Sequence, residues 1–108
     1  MVLLVVNNWL ELTVSNPVLF VTNDFGPRAG GIETFIVGLI ERRPFGQTIV
    51  YTSSQPNSEQ YDADWLSNYG VRVIRDRSKI LLPTPRVLFH LNKIIRKEGI
   101  TTAAFGAA

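Results

Sequence analysis

Between an apolar run ending at Thr22 and a helix-like repeat starting at Ile32 lies the stretch richest in chemistry. It reads Asn23-Asp24-Phe25-Gly26-Pro27-Arg28-Ala29-Gly30-Gly31-Ile32-Glu33. Gly30 and Gly31 fall at the start of the helix, where backbone N–H groups lack partners within the helix. With the positive end of the helix dipole, those donors suit an anion such as a phosphate. Glycine permits the close approach, since a side chain would hold the phosphate off the backbone. A tight turn with a flexible entry into a helix would use the same two residues, and the sequence leaves both readings open. Asn23 and Asp24 can hydrogen-bond the hydroxyls of a ligand, or form the turn through their own side chains. Arg28 can meet a phosphate or stay in solvent. The stretch lacks the lysine followed by Ser or Thr of a P-loop and the Gly-x-Gly-x-x-Gly of a dinucleotide fingerprint.

A second cluster is basic. Residues 1–70 hold three Lys/Arg against seven Asp/Glu, whereas residues 71–108 hold eight against two. The net charge of +2 therefore hides an acidic first part and a basic last third. Arg75, Arg77, Lys79, Arg86, Lys93, Arg96 and Lys97 are candidates for an anionic partner such as a membrane surface; a solvated helix face is the plainer alternative. Nucleic acid is disfavoured, because aromatics that could stack bases are not interleaved with these cations.

The elements that must position both clusters follow from periodicity. Residues 18–22 read as a buried parallel strand. Apolar positions 32, 35, 36, 39 and 40 give a helix closed by Pro44. Residues 47–52 form the second strand, and Asn57 or Ser58 caps a helix running to Tyr69 with Gly70 as its stop. In that helix Trp65 and Tyr69, four apart, pack together as core. Residues 71–74 are the third strand. Thr84 caps a helix with Pro85 at its first position, ending at Gly99. Its apolar stripe is Val87, Leu88, Leu91, Ile94 and Ile95, with His90 at the surface or boundary. Residues 101–105 are the fourth strand. The order β-α-β-α-β-α-β predicts an α/β fold, a partial Rossmann-like doubly wound parallel sheet. Ligands bind such sheets at the C-terminal ends of the strands, which selects the loops 23–31, 53–57, 75–83 and 106–108.

Composition removes several classes. There is no cysteine, so disulfides, thiolate metal sites and cysteine nucleophiles are excluded, and a reducing cytosolic setting is the default. The apolar residues 2–6 are too few to span a bilayer. The leader, residues 1–17, is either an extra edge strand or disordered sequence ahead of the domain, and the second reading is preferred; residues 18–108 form the domain.

As a whole, the stretch from Phe25 to Glu33 resembles the first loop of the retaining family 4 glycosyltransferases. Those enzymes commonly carry Phe-Pro-Pro-x-x-Gly-Gly, then an apolar residue and Glu or Gln. Gly26 stands where the first proline usually is, a change expected to loosen the loop. Residues 18–25, Leu81-Leu82-Pro83 and Phe105-Gly106-Ala107-Ala108 resemble the actinobacterial mannosyltransferases of that family, which act on phosphatidylinositol mannosides. The resemblance covers residues 18–108 and implies the N-terminal acceptor half-domain of a GT-B enzyme. It implies donor-phosphate binding by Gly30 and Gly31, and an acceptor pocket lined by Asn23, Asp24 and Glu33. The reaction implied is transfer of mannose from GDP-mannose, with retention and without a metal or other cofactor. A basic patch would rest on the inner face of the plasma membrane, leaving Ile80-Leu81-Leu82 free for lipid contact. The donor-side residues belong to a C-terminal domain, so no catalytic residue is assigned in this chain. Two alternatives stand beside this reading: a family 4 enzyme with another donor or acceptor, and a non-catalytic phosphate- or nucleotide-binding module.

Overall fold

An uninterrupted apolar run fits a strand covered on both sides, and Val18–Thr22 is such a strand, buried at every position. The computed structural model describes residues 2–5, 17–23, 25–27 and 31–106. Within them the elements follow in the order β1 (Val2–Val5), β2 (Val18–Thr22), α1 (Gly31–Glu41), β3 (Thr48–Thr52), α2 (Glu59–Tyr69), β4 (Arg72–Arg75), α3 (Pro85–Glu98) and β5 (Thr102–Gly106).

The strands form one sheet in the order β1-β5-β2-β3-β4. β5, β2, β3 and β4 are parallel, and β1 lies antiparallel on β5. Taken by sequence, the four parallel strands stand fourth, first, second, third, as in half of a Rossmann sheet. The β-α-β-α-β-α-β reading from residue 18 is thus the observed one. In the leader, Val2–Val5 takes the edge-strand alternative, pairing through Val2–Gly106 to Val5–Ala103.

The period of two along each strand sends alternate residues to opposite faces. Val18, Phe20, Val50 and Ala104 pack with Ile36 and Ile40 of α1 and Trp65 of α2. Leu19, Val21, Ile49 and Tyr51 pack instead with Val87 and Leu91 of α3 and with Ile100. Helices therefore cover both faces, and the sheet is doubly wound.

The ends of the helices explain their boundaries. Thr84 is extended and its hydroxyl accepts from the Val87 N–H at 3.3 Å, with Pro85 at the first helical position. Gly99 (φ +64) and Gly70 (φ +67) close α3 and α2 in the left-handed region. At Gly70 a Cβ would also lie 2.6 Å from the Gly46 nitrogen. The expected side-chain cap of α2 is not made: Ser58 is already helical and its hydroxyl caps nothing. Asn57 precedes it at φ +58, so the chain enters α2 through a left-handed turn. Leu88 also departs from the predicted stripe. It is 53% exposed, because the sheet receives only the side of α3 bearing Val87, Leu91, Ile94 and Ile95.

Candidate functional site

Thr22, Thr52, Arg75 and Gly106 stand level across the sheet at the C-terminal ends of its parallel strands. The strand order reverses between β2 and β5, and that is where open α/β sheets receive ligands. Gly31 opens α1 just beyond this point. Gly30, Asp24 and Arg28 lie outside the described residues, as does the side chain of Glu33 in the first turn of α1.

The chain leaving β2 is held from three directions. Phe25 is fully buried, with its ring centroid 5.6 Å from Tyr61 and 5.3 Å from Trp65. The Tyr61 hydroxyl donates to the Phe25 carbonyl at 2.8 Å. Gly26 sits at φ +120, where a Cβ would fall 2.5 Å from the Tyr61 hydroxyl oxygen. Its carbonyl accepts from Arg75 Nη2 at 2.7 Å. The expectation that Gly26 loosens the loop is therefore corrected. A proline, fixed near φ −65°, cannot adopt this backbone, and glycine is what allows the chain to press against α2.

Arg75 is a structural tie as well as a cation. It forms two hydrogen bonds of 2.8 Å to the carboxylate of Asp62 and donates to the Ser53 carbonyl at 3.0 Å. With the bond to Gly26, one guanidinium joins β4, α2 and the chain following β2 and β3. Its side chain is 11% exposed, which withdraws it from the cations open to a membrane.

Asn23 is also engaged inside the protein. Its Oδ1 accepts from the Leu81 N–H at 2.5 Å, its Nδ2 donates to the Leu81 carbonyl at 3.4 Å, and its own carbonyl accepts from Ser53 Oγ at 2.5 Å. A carboxamide offers two donor hydrogens and two lone pairs, so capacity for a ligand remains, on a side chain already fixed in direction.

Asp76, immediately after β4, is buried on the α3 side. Its carboxylate accepts from Arg86 at 2.5 and 3.1 Å, from the Ser78 N–H at 3.0 Å and from the Tyr51 hydroxyl at 3.1 Å. The Arg86 hydrogen bonds hold its pKa well below the usual carboxylate range, outweighing burial, and Ser78 and Tyr51 add to the effect. Burial, reinforced by Asp76, pushes the Tyr51 phenol up to about 12. Exposed His90 reaches the same group, with Nδ1 3.5 Å from the Tyr51 hydroxyl. Like Arg75, Arg86 is thus tied within the fold.

The remaining predicted cations, Arg77, Lys79, Lys93, Arg96 and Lys97, are exposed. Lys79 shares a hollow with Ser54, Gln55 and Pro56. Lys93, Arg96 and Lys97 flank a groove on α3 with Phe89 and Asn92. Ile80 and Leu82 are exposed, but Leu81 packs on the α3 core. Sequence reasoning missed the roles of Tyr61, Asp62, Tyr51 and Asp76. The one local signal was an aspartate enclosed by cations in Arg75-Asp76-Arg77.

These features define a partial Rossmann-like α/β domain with a pinned loop before its first crossover helix. No protein-family model matches the chain, but curated relatives do. It is 35% identical, over 90% of its length, to the GDP-mannose-dependent monoacylated alpha-(1-6)-phosphatidylinositol monomannoside mannosyltransferase of Corynebacterium glutamicum. It is 35% and 39% identical, over 84% of its length, to the GDP-mannose-dependent alpha-(1-6)-phosphatidylinositol monomannoside mannosyltransferases of Mycolicibacterium smegmatis and Mycobacterium tuberculosis. The chain spans 24–25% of the length of these relatives.

Proposed function

We propose that the chain is the acceptor-side portion of a GT-B mannosyltransferase that moves mannose from GDP-mannose to a phosphatidylinositol mannoside with retention. The observation that carries this reading is the 35–39% identity over 84–90% of the chain to enzymes of that name. The strand order supports it, since the ligand crevice of a doubly wound sheet lies where Gly31 begins α1. In this reading Gly30 and Gly31 receive the donor phosphates through backbone N–H groups, and Asp24, Glu33 and the remaining capacity of Asn23 meet acceptor hydroxyls. Preorganised N–H donors stabilise the charge that develops on the leaving phosphate. The pinned backbone at Phe25 and Gly26 fixes where the loop departs from the sheet.

The same reading assigns membrane contact to Arg77, Lys79, Lys93, Arg96 and Lys97, with exposed Ile80, Leu82, Leu88 and Phe89 among them. Each lysine or arginine near an anionic bilayer contributes about 1 kcal/mol. The protein would then sit peripherally on the cytoplasmic face of the plasma membrane. No helix among the described residues is long and apolar enough to cross one.

The decisive experiment replaces the matching quarter of the M. tuberculosis relative with residues 18–108 of this chain. The chimera is expected to transfer mannose from GDP-mannose to phosphatidylinositol monomannoside, while the 108-residue chain alone does not. A folded chimera that binds GDP-mannose but transfers nothing to that acceptor overturns the acceptor assignment. Turnover by the isolated chain overturns the division of labour.

A further inference from the structure

The loops after β3 and β4 meet beside the end of β2. Ser53 Oγ donates to the Asn23 carbonyl at 2.5 Å, and the Ser54 N–H donates to the Ser78 carbonyl at 2.8 Å. The Asn23 carboxamide engages both backbone groups of Leu81, 58 positions away. An amide supplies the donor and the acceptor that one backbone residue needs, so Asn23 fixes how Leu81 is turned. The Leu81 side chain packs on the α3 core, and its neighbours Ile80 and Leu82 are left 62% and 58% exposed. An apolar pair held out in this way gains free energy when an apolar partner covers it.

The same loop supplies an unpaired cation. Arg75 and Arg86 are each tied to a carboxylate, whereas no ion pair among the described residues involves Lys79. Lys79 closes a hollow of about 420 Å³ with Ser54, Gln55 and Pro56. A cation in a hollow, followed directly by an apolar pair, complements an amphiphile with an anionic head. From this juxtaposition we infer that Lys79, Ile80 and Leu82 form a site for one phospholipid molecule, the lipid acceptor itself. Its phosphodiester occupies the Lys79 hollow, its acyl chains run along Ile80 and Leu82, and Asn23 is the positioning residue. Because Asn23 directly follows β2, the head group leaves the hollow beside the crevice at the strand ends. The identity of the lipid rests on the acceptor reading above, whereas the site itself is open to direct binding.

Titration calorimetry of the 108-residue chain with dihexanoylphosphatidylinositol, kept below its micelle concentration, measures binding of single lipid molecules. Glycerophosphoinositol carries the same head group without acyl chains. The acylated probe is expected to bind at least about tenfold more tightly, the effect of burying a few methylenes. Ile80→Ser with Leu82→Ser, both exposed positions, should bring that ratio close to one. Lys79→Gln should weaken both probes alike and leave the ratio in place. Asn23→Ala should lower the ratio, whereas loss of a hydroxyl contact alone would weaken both probes and preserve it. Asn23→Asp, which keeps an acceptor for the Leu81 N–H, should retain part of it. No binding of the acylated probe, equal affinities in the unaltered chain, or a ratio unmoved by the Ile80 and Leu82 replacements overturns the site. Unchanged affinities in Lys79→Gln overturn the placement of the phosphodiester, and an unmoved ratio in Asn23→Ala overturns the positioning role. Lipid binding of the expected pattern beside a chimera that transfers nothing fails the acceptor reading and leaves the site standing. A chimera that transfers mannose while the ratio stays at one does the reverse.

Discussion

The two faces of the sheet hold the same rim by different physics. Against α1 and α2, the chain after β2 is fixed by aromatic packing of Phe25 with Tyr61 and Trp65, backed by the Arg75–Asp62 pair near the surface. Against α3, the loop after β4 is fixed by a buried carboxylate, Asp76, shared among Tyr51, Ser78 and Arg86. The first arrangement draws mainly on apolar burial, which is indifferent to protonation. The second draws on a charge and responds to pH. One rim can therefore lose half of its support while the other half stands.

Truncating Trp65 to alanine should have the largest effect, about 3–5 kcal/mol of stability lost from a buried aromatic. Urea unfolding checks it, and the loss should be nearly the same at neutral and mildly acidic pH. Asp76→Ala should follow at about 2–4 kcal/mol, because the Tyr51 hydroxyl and the half-buried Ser78 N–H lose their acceptor, each at about 1–2 kcal/mol in the lower part of the range for an unsatisfied group.

The pH profiles sharpen the contrast. Asp76 has a depressed folded-state pKa, so its contribution is full above the ordinary carboxylate value of about 4 and is lost as pH falls below it. Tyr51 is raised to about 12, so its contribution is full below about 10 and is lost as pH rises towards 12. Asp76→Ala should flatten the acid limb and Tyr51→Phe the alkaline limb, whereas Trp65→Ala should leave both in place. A Trp65 variant with an altered acid limb would show that the two faces are not separate.

Gly26→Ala comes next, at about 1–3 kcal/mol for forcing a side chain into this backbone region, with added crowding against Tyr61. The smallest change in stability is expected for Phe89→Ala, within about 0.5 kcal/mol, because Phe89 is 70% exposed. Its effect should fall instead on sedimentation with anionic vesicles, which is expected to weaken while binding to neutral vesicles stays low. Unchanged binding to anionic vesicles would remove Phe89 from the membrane surface.

The same division decided what could be read beforehand. The alternation of strands and helices was legible because periodicity and capping are local: Thr84, Pro85 and Gly99 mark α3 without reference to anything distant. The rim was not. Arg75 reads as one cation in a basic run, and only the fold brings it to Asp62, thirteen positions away, and to the Gly26 carbonyl. Leu88 failed for a related reason, since helical spacing gives the apolar arc but not how much of it the sheet covers. The role of Gly26 depended on the Tyr61 ring, which a local motif does not encode.

The triple hold of Arg75 has a consequence for how such a domain can change over generations. Gly26, Ser53 and Asp62 belong to separate segments, yet all are partners of one guanidinium. A replacement that shifts the path of one segment alters the geometry available to the other two. These stretches therefore cannot drift independently, and successful changes at the rim should be inherited as matched sets.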